Sequence, residues 1–151
     1  EDDPDPYDAY MEQVSQTVKA KTEELDLKLP YIIIEPGRSI VGPAGITLHT
    51  VGGIKNIPGY RKYVSVDGGM TDNIRYALYG SKFDFLLANK ADQPTAEVGD
   101  ILCTCATGAY NYTMSSNYNR VCTPGVVFVK GGESRVVIKA QTLEDLVRND
   151  I

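Results

Sequence analysis

Arg75 and Tyr79 stand four residues apart in the run Met70-Thr71-Asp72-Asn73-Ile74-Arg75-Tyr76-Ala77-Leu78-Tyr79. A guanidinium is a planar, permanently charged fork that matches a carboxylate or a phosphate, and a nearby phenol can donate to the same anion. The run has neither a helix's apolar stripe nor a strand's alternation. It follows the strand-like Tyr63-Val64-Ser65-Val66 and a Gly68-Gly69 break, so it is expected in a loop or short turn leaving a sheet. Taken alone, the pair reads equally as an anion clamp or as a solvated arginine beside a packed tyrosine.

Two further stretches carry polar chemistry. Glu35-Pro36-Gly37-Arg38 directly follows an apolar run, at the carboxyl end of an expected strand, where ligand sites of parallel α/β architectures gather. Gly37 permits close backbone approach, and the amides of Gly37 and Arg38 can form an anion-binding nest. A buried Glu35 is costly unless a cation partners it. The plain alternative is a Pro-Gly turn closed by a local Glu–Arg pair. The third stretch, from Thr107 to Asn119, is dense in hydroxyl and amide groups and follows another expected strand. It reads as a site-lining loop, or as a self-bonded loop with its tyrosines packed inward.

Cys103, Cys105 and Cys122 make an odd count, which supports neither a disulfide framework nor a metal set. Cys103 and Cys105 are two apart in a strand-like segment and should face one side as small buried hydrophobes. His49, the single histidine, is expected on a strand surface rather than as a base or ligand. No metal site and no catalytic residue is expected within this chain.

The elements that must position these groups fall into two styles. Residues 7–25 carry an apolar stripe at helical spacing (Met11, Val14, Val18, Leu25), with Asp5 as a cap, Pro6 at the first helical position and Asp8 in the first turn. Tyr31-Ile32-Ile33-Ile34 then reads as a strand buried on both faces. A helix feeding such a strand belongs to a parallel sheet or barrel whose larger layer must come from elsewhere. After Arg38 the pattern changes to short strands near 45–55, 62–67, 83–88, 100–106, 125–130 and 134–140. A Gly131-Gly132 hairpin turn joins the last two. A short helix from Leu143 to Val147, capped by Thr142 with Glu144 in its first turn, closes the chain.

The 151 residues include 14 glycines and 8 prolines, in keeping with a mainly β, loop-rich protein. A formal charge of −5 argues against nucleic acid, and no apolar run approaches the roughly 18 residues of a membrane span. No signal peptide is visible at the acidic start, and a cytoplasmic setting is expected. The expected organisation is 1–40 as a remnant of an α/β barrel. Residues 41–151 then form an antiparallel C-terminal β domain, barrel- or sandwich-like, with a short terminal helix.

Glu35-Pro-Gly-Arg38, Met70-x-Asp-x-Ile-Arg75-x-Ala-Leu-Tyr79 and Gly108-Ala-Tyr110-x-Tyr-x-Met-x-Ser-Asn-Tyr-Asn119 occur in the order and style of diaminopimelate decarboxylase. This family comprises pyridoxal-phosphate enzymes of the alanine-racemase-like fold type. The closing Val126-Val-Phe-Val129, Arg135-Val-Val-Ile138 and Thr142-Leu-Glu-Asp-Leu146 resemble the family's ending, so the resemblance covers residues 5 to 151. The first motif is shared with ornithine and arginine decarboxylases; the other two resemble the diaminopimelate branch. The resemblance implies that Glu35 pairs with the cofactor's pyridinium nitrogen and that Gly37 and Arg38 help hold its phosphate, Arg38 lying also near substrate. It implies further that Arg75 and Tyr79 bind a substrate carboxylate and that Tyr110 touches both cofactor and substrate. A homodimer with shared active sites is the implied assembly.

The pattern also departs from the family. The Schiff-base lysine lies upstream of Glu35 in the family and is not in this chain, and neither is the preceding Gly-rich phosphate loop; Lys19, Lys21 and Lys28 do not replace the lysine. The family's Cys-Glu-Ser-Gly-Asp segment, which supplies the proton donor, is skipped where residues 89–96 run straight into Glu97-Val98-Gly99-Asp100. About two strands are missing there. Tyr76 stands where the family often has Pro. The expectation is a fragment of a diaminopimelate decarboxylase. The alternatives are a non-catalytic decarboxylase-like interaction protein or an ornithine/arginine-type decarboxylase.

Overall fold

The computed structural model describes residues 5–93 and 95–151. The chain divides into two compact units, Glu1–Glu35 and Pro36–Ile151, each described by itself.

In the first unit, helix α1 spans Tyr7–Glu24. Pro6, not Asp5, takes the cap position, with φ −66° and ψ 157°, and no side chain caps the helix. The proline carbonyl instead accepts from the amides of Ala9 and Tyr10 at 3.1 and 3.3 Å. Asp5 is thereby one residue too early to reach the first turn. No residue of α1 is buried. Tyr31–Ile34 is not a strand, and Tyr31 and Ile33 are 101% and 86% exposed. The reason is physical: a strand needs neighbours for its ladder hydrogen bonds, and the described residues of this unit supply none.

The second unit opens with the one-turn helix α2, Arg38–Val41, and a 3-10 turn at Gly42–Ala44. Strands β1 (Thr47–Ile57), β2 (Arg61–Val66), β3 (Phe85–Leu87) and β4 (Ile101–Thr104) form one sheet in the order β2-β1-β4-β3. Every pairing is antiparallel. Alternating β-branched and aromatic residues favour these strands. A bulge between Val51 and Gly53 lets β1 pair with β4 through its first half and with β2 through its second. Strands β5 (Val126–Lys130) and β6 (Glu133–Ile138) form a separate hairpin. Its turn residues Gly131 and Gly132 have φ of 61° and 83°, a backbone that glycine adopts without strain.

The short turn expected after β2 contains a single helical turn, α3 (Arg75–Tyr79), which brings residues four apart onto one face. His49 is not a surface residue: its side chain is 12% exposed, 3.8 Å from Asp67 and packed against Gly68. The apolar core is small. Among the described residues, Val51, Leu87, Cys103 and Ala109 are the buried hydrophobes. Burial, and then the neighbouring Cys105, push the Cys103 thiol up, which suits an inert packing role.

The connection from β3 to β4 closes on itself. Lys90 Nζ lies 2.6 Å from Glu97 and 3.0 Å from the buried Asp100. Asn89 donates to Asp100 at 3.0 Å and accepts from the Ile101 amide at 2.9 Å, while the Glu97 amide donates to Asp100 at 2.8 Å. Helix α4, Leu143–Val147, ends the unit with a reciprocal capping box between Thr142 and Asp145.

Candidate functional site

The pairing of Thr47–Thr50 with Ile101–Thr104 sets the chain before β1 beside the chain after β4. Backbone bonds then fasten the two: Thr107 N donates to Gly45 O at 2.8 Å and Gly108 N to Gly42 O at 3.0 Å. Thr47 and Thr107 share a hydroxyl–hydroxyl bond at 2.8 Å. This leaves α2, with Gly37 and Arg38 at its start, next to the 106–119 loop.

Tyr110 sits at the centre of that loop with φ +70°, a left-handed backbone that costs an aromatic residue roughly 1–2 kcal/mol. Strain of this kind is held in place by its surroundings and concentrates at functional sites. On one side, the Arg75 guanidinium carbon lies 5.2 Å from the Tyr110 ring centroid and 5.1 Å from that of Tyr79. Arg75 is thus stacked between two aromatic faces, each contact worth about 0.5–2 kcal/mol. Met114 backs it, with Sδ 3.9 Å from Nη1. On the other side, the Tyr110 hydroxyl reaches the position a side chain on Gly37 would fill.

Arg38 donates to the Ala106 carbonyl at 3.4 Å, and the backbone of Ala106 is also left-handed, at φ +54°. Among the described residues of this unit, no carboxylate forms an ion pair with Arg38 or Arg75, although the chain as a whole is acidic. The Nε of Arg75 is buried and without a hydrogen-bond partner, as are both polar atoms of the Asn111 side chain. The unpartnered Arg75 Nε, beside the Tyr79 and Tyr110 rings, is a donor that suits an anionic group.

Of the residues expected to act, Gly37, Arg38, Arg75, Tyr79 and Tyr110 come together in this unit. Glu35 is exposed and belongs to the first unit. The donor set of the second unit, a guanidinium, backbone amides and a phenol hydroxyl, suits a phosphate group such as that of pyridoxal phosphate. Sequence reasoning did not single out Met114 or the Ala106 carbonyl. Met114 had a legible signal, since it follows Tyr110 by four residues and its amide donates to the Tyr110 carbonyl at 2.8 Å. The Ala106 carbonyl had none, being a backbone atom placed by the β1–β4 register.

No protein-family model matches the chain. The chain is 42% identical over 167 residues to the diaminopimelate decarboxylase of Bacillus subtilis, covering 94% of this chain and 38% of that enzyme. As 94% of 151 residues is about 142, about 25 aligned positions of that enzyme have no counterpart here, in keeping with the skipped internal segment. Among solved structures, the diaminopimelate decarboxylase of M. jannaschi superposes with a TM-score of 0.72 at 29% identity, over 91% of this chain and 36% of that one. The Helicobacter pylori enzyme complexed with L-lysine gives 0.71 at 29% identity, over 88% and 38%. The mainly antiparallel fold is that of the C-terminal β domain in these structures. By sequence and by fold, this chain is a relative of diaminopimelate decarboxylase and spans about two fifths of that enzyme's length.

Proposed function

We propose that the chain is the C-terminal portion of a diaminopimelate decarboxylase, a carboxy-lyase that converts meso-2,6-diaminopimelate to L-lysine and CO2. The observation that carries this reading is Arg75, stacked between Tyr79 and Tyr110 with no carboxylate of its own. A substrate with an amino-acid group at each end offers such an arginine its distal carboxylate. That leaves the other end free to react, and holding it there supplies orientation. Support comes also from the L-lysine named in the Helicobacter pylori complex, an amino acid of the class this clamp would admit.

The roles follow from the family resemblance, and the geometry of the second unit supports those of Gly37, Arg75, Tyr79 and Tyr110. Arg75 and Tyr79 hold the distal carboxylate; Tyr110 walls the clamp on one side and meets the Gly37 turn on the other. Gly37 and Arg38 help hold the phosphate of pyridoxal 5'-phosphate, with Arg38 also near substrate, and Tyr110 touches both cofactor and substrate; the resemblance gives Glu35 the ring nitrogen. When bound, the cofactor supplies the electron sink that decarboxylation needs. The anchoring lysine and the Cys-Glu proton donor belong to parts of the enzyme other than this chain, which alone is not expected to turn over. A cytoplasmic homodimer with active sites built from both subunits follows from the same resemblance. The many exposed apolar residues fit a chain covered by a larger body.

The full-length protein, loaded with pyridoxal phosphate, is expected to release CO2 from meso-diaminopimelate and to form lysine. Turnover of ornithine or arginine with none of diaminopimelate would overturn the substrate. No turnover of any of them would favour a non-catalytic interaction protein, a reading to which the roughly 25 missing positions lend weight.

A further inference from the structure

Gly37 and Tyr110 are 73 residues apart, yet a Cβ built on Gly37 would lie 2.9 Å from the Tyr110 hydroxyl oxygen, closer than real Cβ contacts come. The next nearest atom, the ring carbon that bears the hydroxyl, is 3.9 Å away, an ordinary contact. The conflict would therefore concern the phenol oxygen alone. Gly37 has φ −129° and ψ −78°, and any cost that this backbone imposes on a side chain is the same whether residue 110 is tyrosine or phenylalanine. The phenol cannot easily step aside. Its own backbone is fixed in the left-handed region, and one face of its ring carries the Arg75 guanidinium.

We propose that Gly37 and Tyr110 are a pair of positioning residues for Arg75: the bare Cα of Gly37 seats the phenol, and the seated ring fixes the guanidinium that grips the anion. This rests on the reading of Arg75 as the distal-carboxylate clamp. It adds that the Glu-Pro-Gly-Arg turn, beyond any contact with cofactor, sets the substrate clamp from behind. A side chain on Gly37 would push the phenol, tilt the ring and misalign a fork that Gly37 never touches. Met114, on the Nη1 side, limits how far Arg75 can follow.

The test is a double-mutant cycle in the full-length protein, with pimelate as a dicarboxylate probe whose binding is measured by calorimetry. Gly37→Ala is expected to weaken pimelate about tenfold. In a Tyr110→Phe background, which removes the atom in conflict and keeps the ring, the same substitution is expected to cost less than twofold, whatever Tyr110→Phe costs by itself. An equal loss in both backgrounds would overturn the proposal, because the glycine would then matter only for its own backbone or for the cofactor. Should Gly37→Ala fail to fold, restored folding in the Tyr110→Phe background supports the pair, and failure in both overturns it. Arg75→Ala separates this proposal from the reading beneath it. If pimelate binds equally well without Arg75, the clamp assignment fails, while the Gly37–Tyr110 coupling is still read from the four melting temperatures.

Discussion

Gly108 packs directly on the backbone of Gly45, its Cα and amide filling the space where a Gly45 side chain would project. A Cβ on Gly108 would in turn collide with the Val41 carbonyl and the Gly45 amide nitrogen, with the Gly42 carbonyl in tight contact. All the opposing atoms are backbone, so nothing can rotate away. Gly108→Ala is therefore expected to separate the 42–45 turn from the 106–110 loop and to cost at least about 2 kcal/mol. Urea titration checks this, and anion binding at Arg75 should fall with it, since Tyr110 hangs from the same loop.

Arg75→Lys retains the charge but loses the planar fork and most of the stacking on Tyr79 and Tyr110. The two ring contacts and one half of a bidentate pair amount to about 1.5–3 kcal/mol, or roughly 10- to 100-fold in affinity. In full-length enzyme the expected change is a raised KM for diaminopimelate with a smaller change in kcat. An unaltered KM would remove Arg75 from the substrate site.

Hydrogen bonds from Asn89, the Glu97 amide and Lys90, in that order, hold the Asp100 carboxyl at about 2. A carboxyl whose folded value is depressed stabilises the fold above its ordinary range near 4, and that contribution is lost as pH falls toward 2. Unfolding midpoints should therefore decline between pH 4 and pH 2, and Asp100→Asn should flatten the decline. Asn89→Ala, which removes a donor to Asp100 and an acceptor for the Ile101 amide, should cost about 1–3 kcal/mol at neutral pH.

At the chain's end, Thr142 accepts from the Asp145 amide at 3.3 Å while Asp145 accepts from the Thr142 amide at 2.8 Å. Thr142→Ala is expected to cost about 0.5–2 kcal/mol. Faster amide exchange at Asp145, with the β5–β6 hairpin unaffected, would locate the loss in this short helix.

Much of the fold was legible because its cues are local. Gly131-Gly132 marked the last hairpin, Thr142 marked its helix, and the strands around Val51 and Cys103 lay where alternation put them. Tyr31–Ile34 misled for the opposite reason, since a buried parallel strand exists only through neighbours, and the described part of its unit has none. His49 misled because its burial depends on how the Asp67-Gly68 turn folds back over it. At the site, residue types were readable but their convergence was not. Spacing gave Arg75 and Tyr79 as a pair, whereas Tyr110 joins them only through the β1–β4 register, a long-range property that no short motif contains.

Asn89, Lys90, Glu97 and Asp100 clasp the two ends of the β3–β4 connection together. They lie on both sides of residues 91–96, two before them and two after. Such a clasp lets the chain be opened and rejoined between Ala96 and Glu97 while β3 and β4 keep their register. This makes that point a natural port for grafting: a length of foreign sequence inserted there would be carried on the sheet with its two ends already gathered.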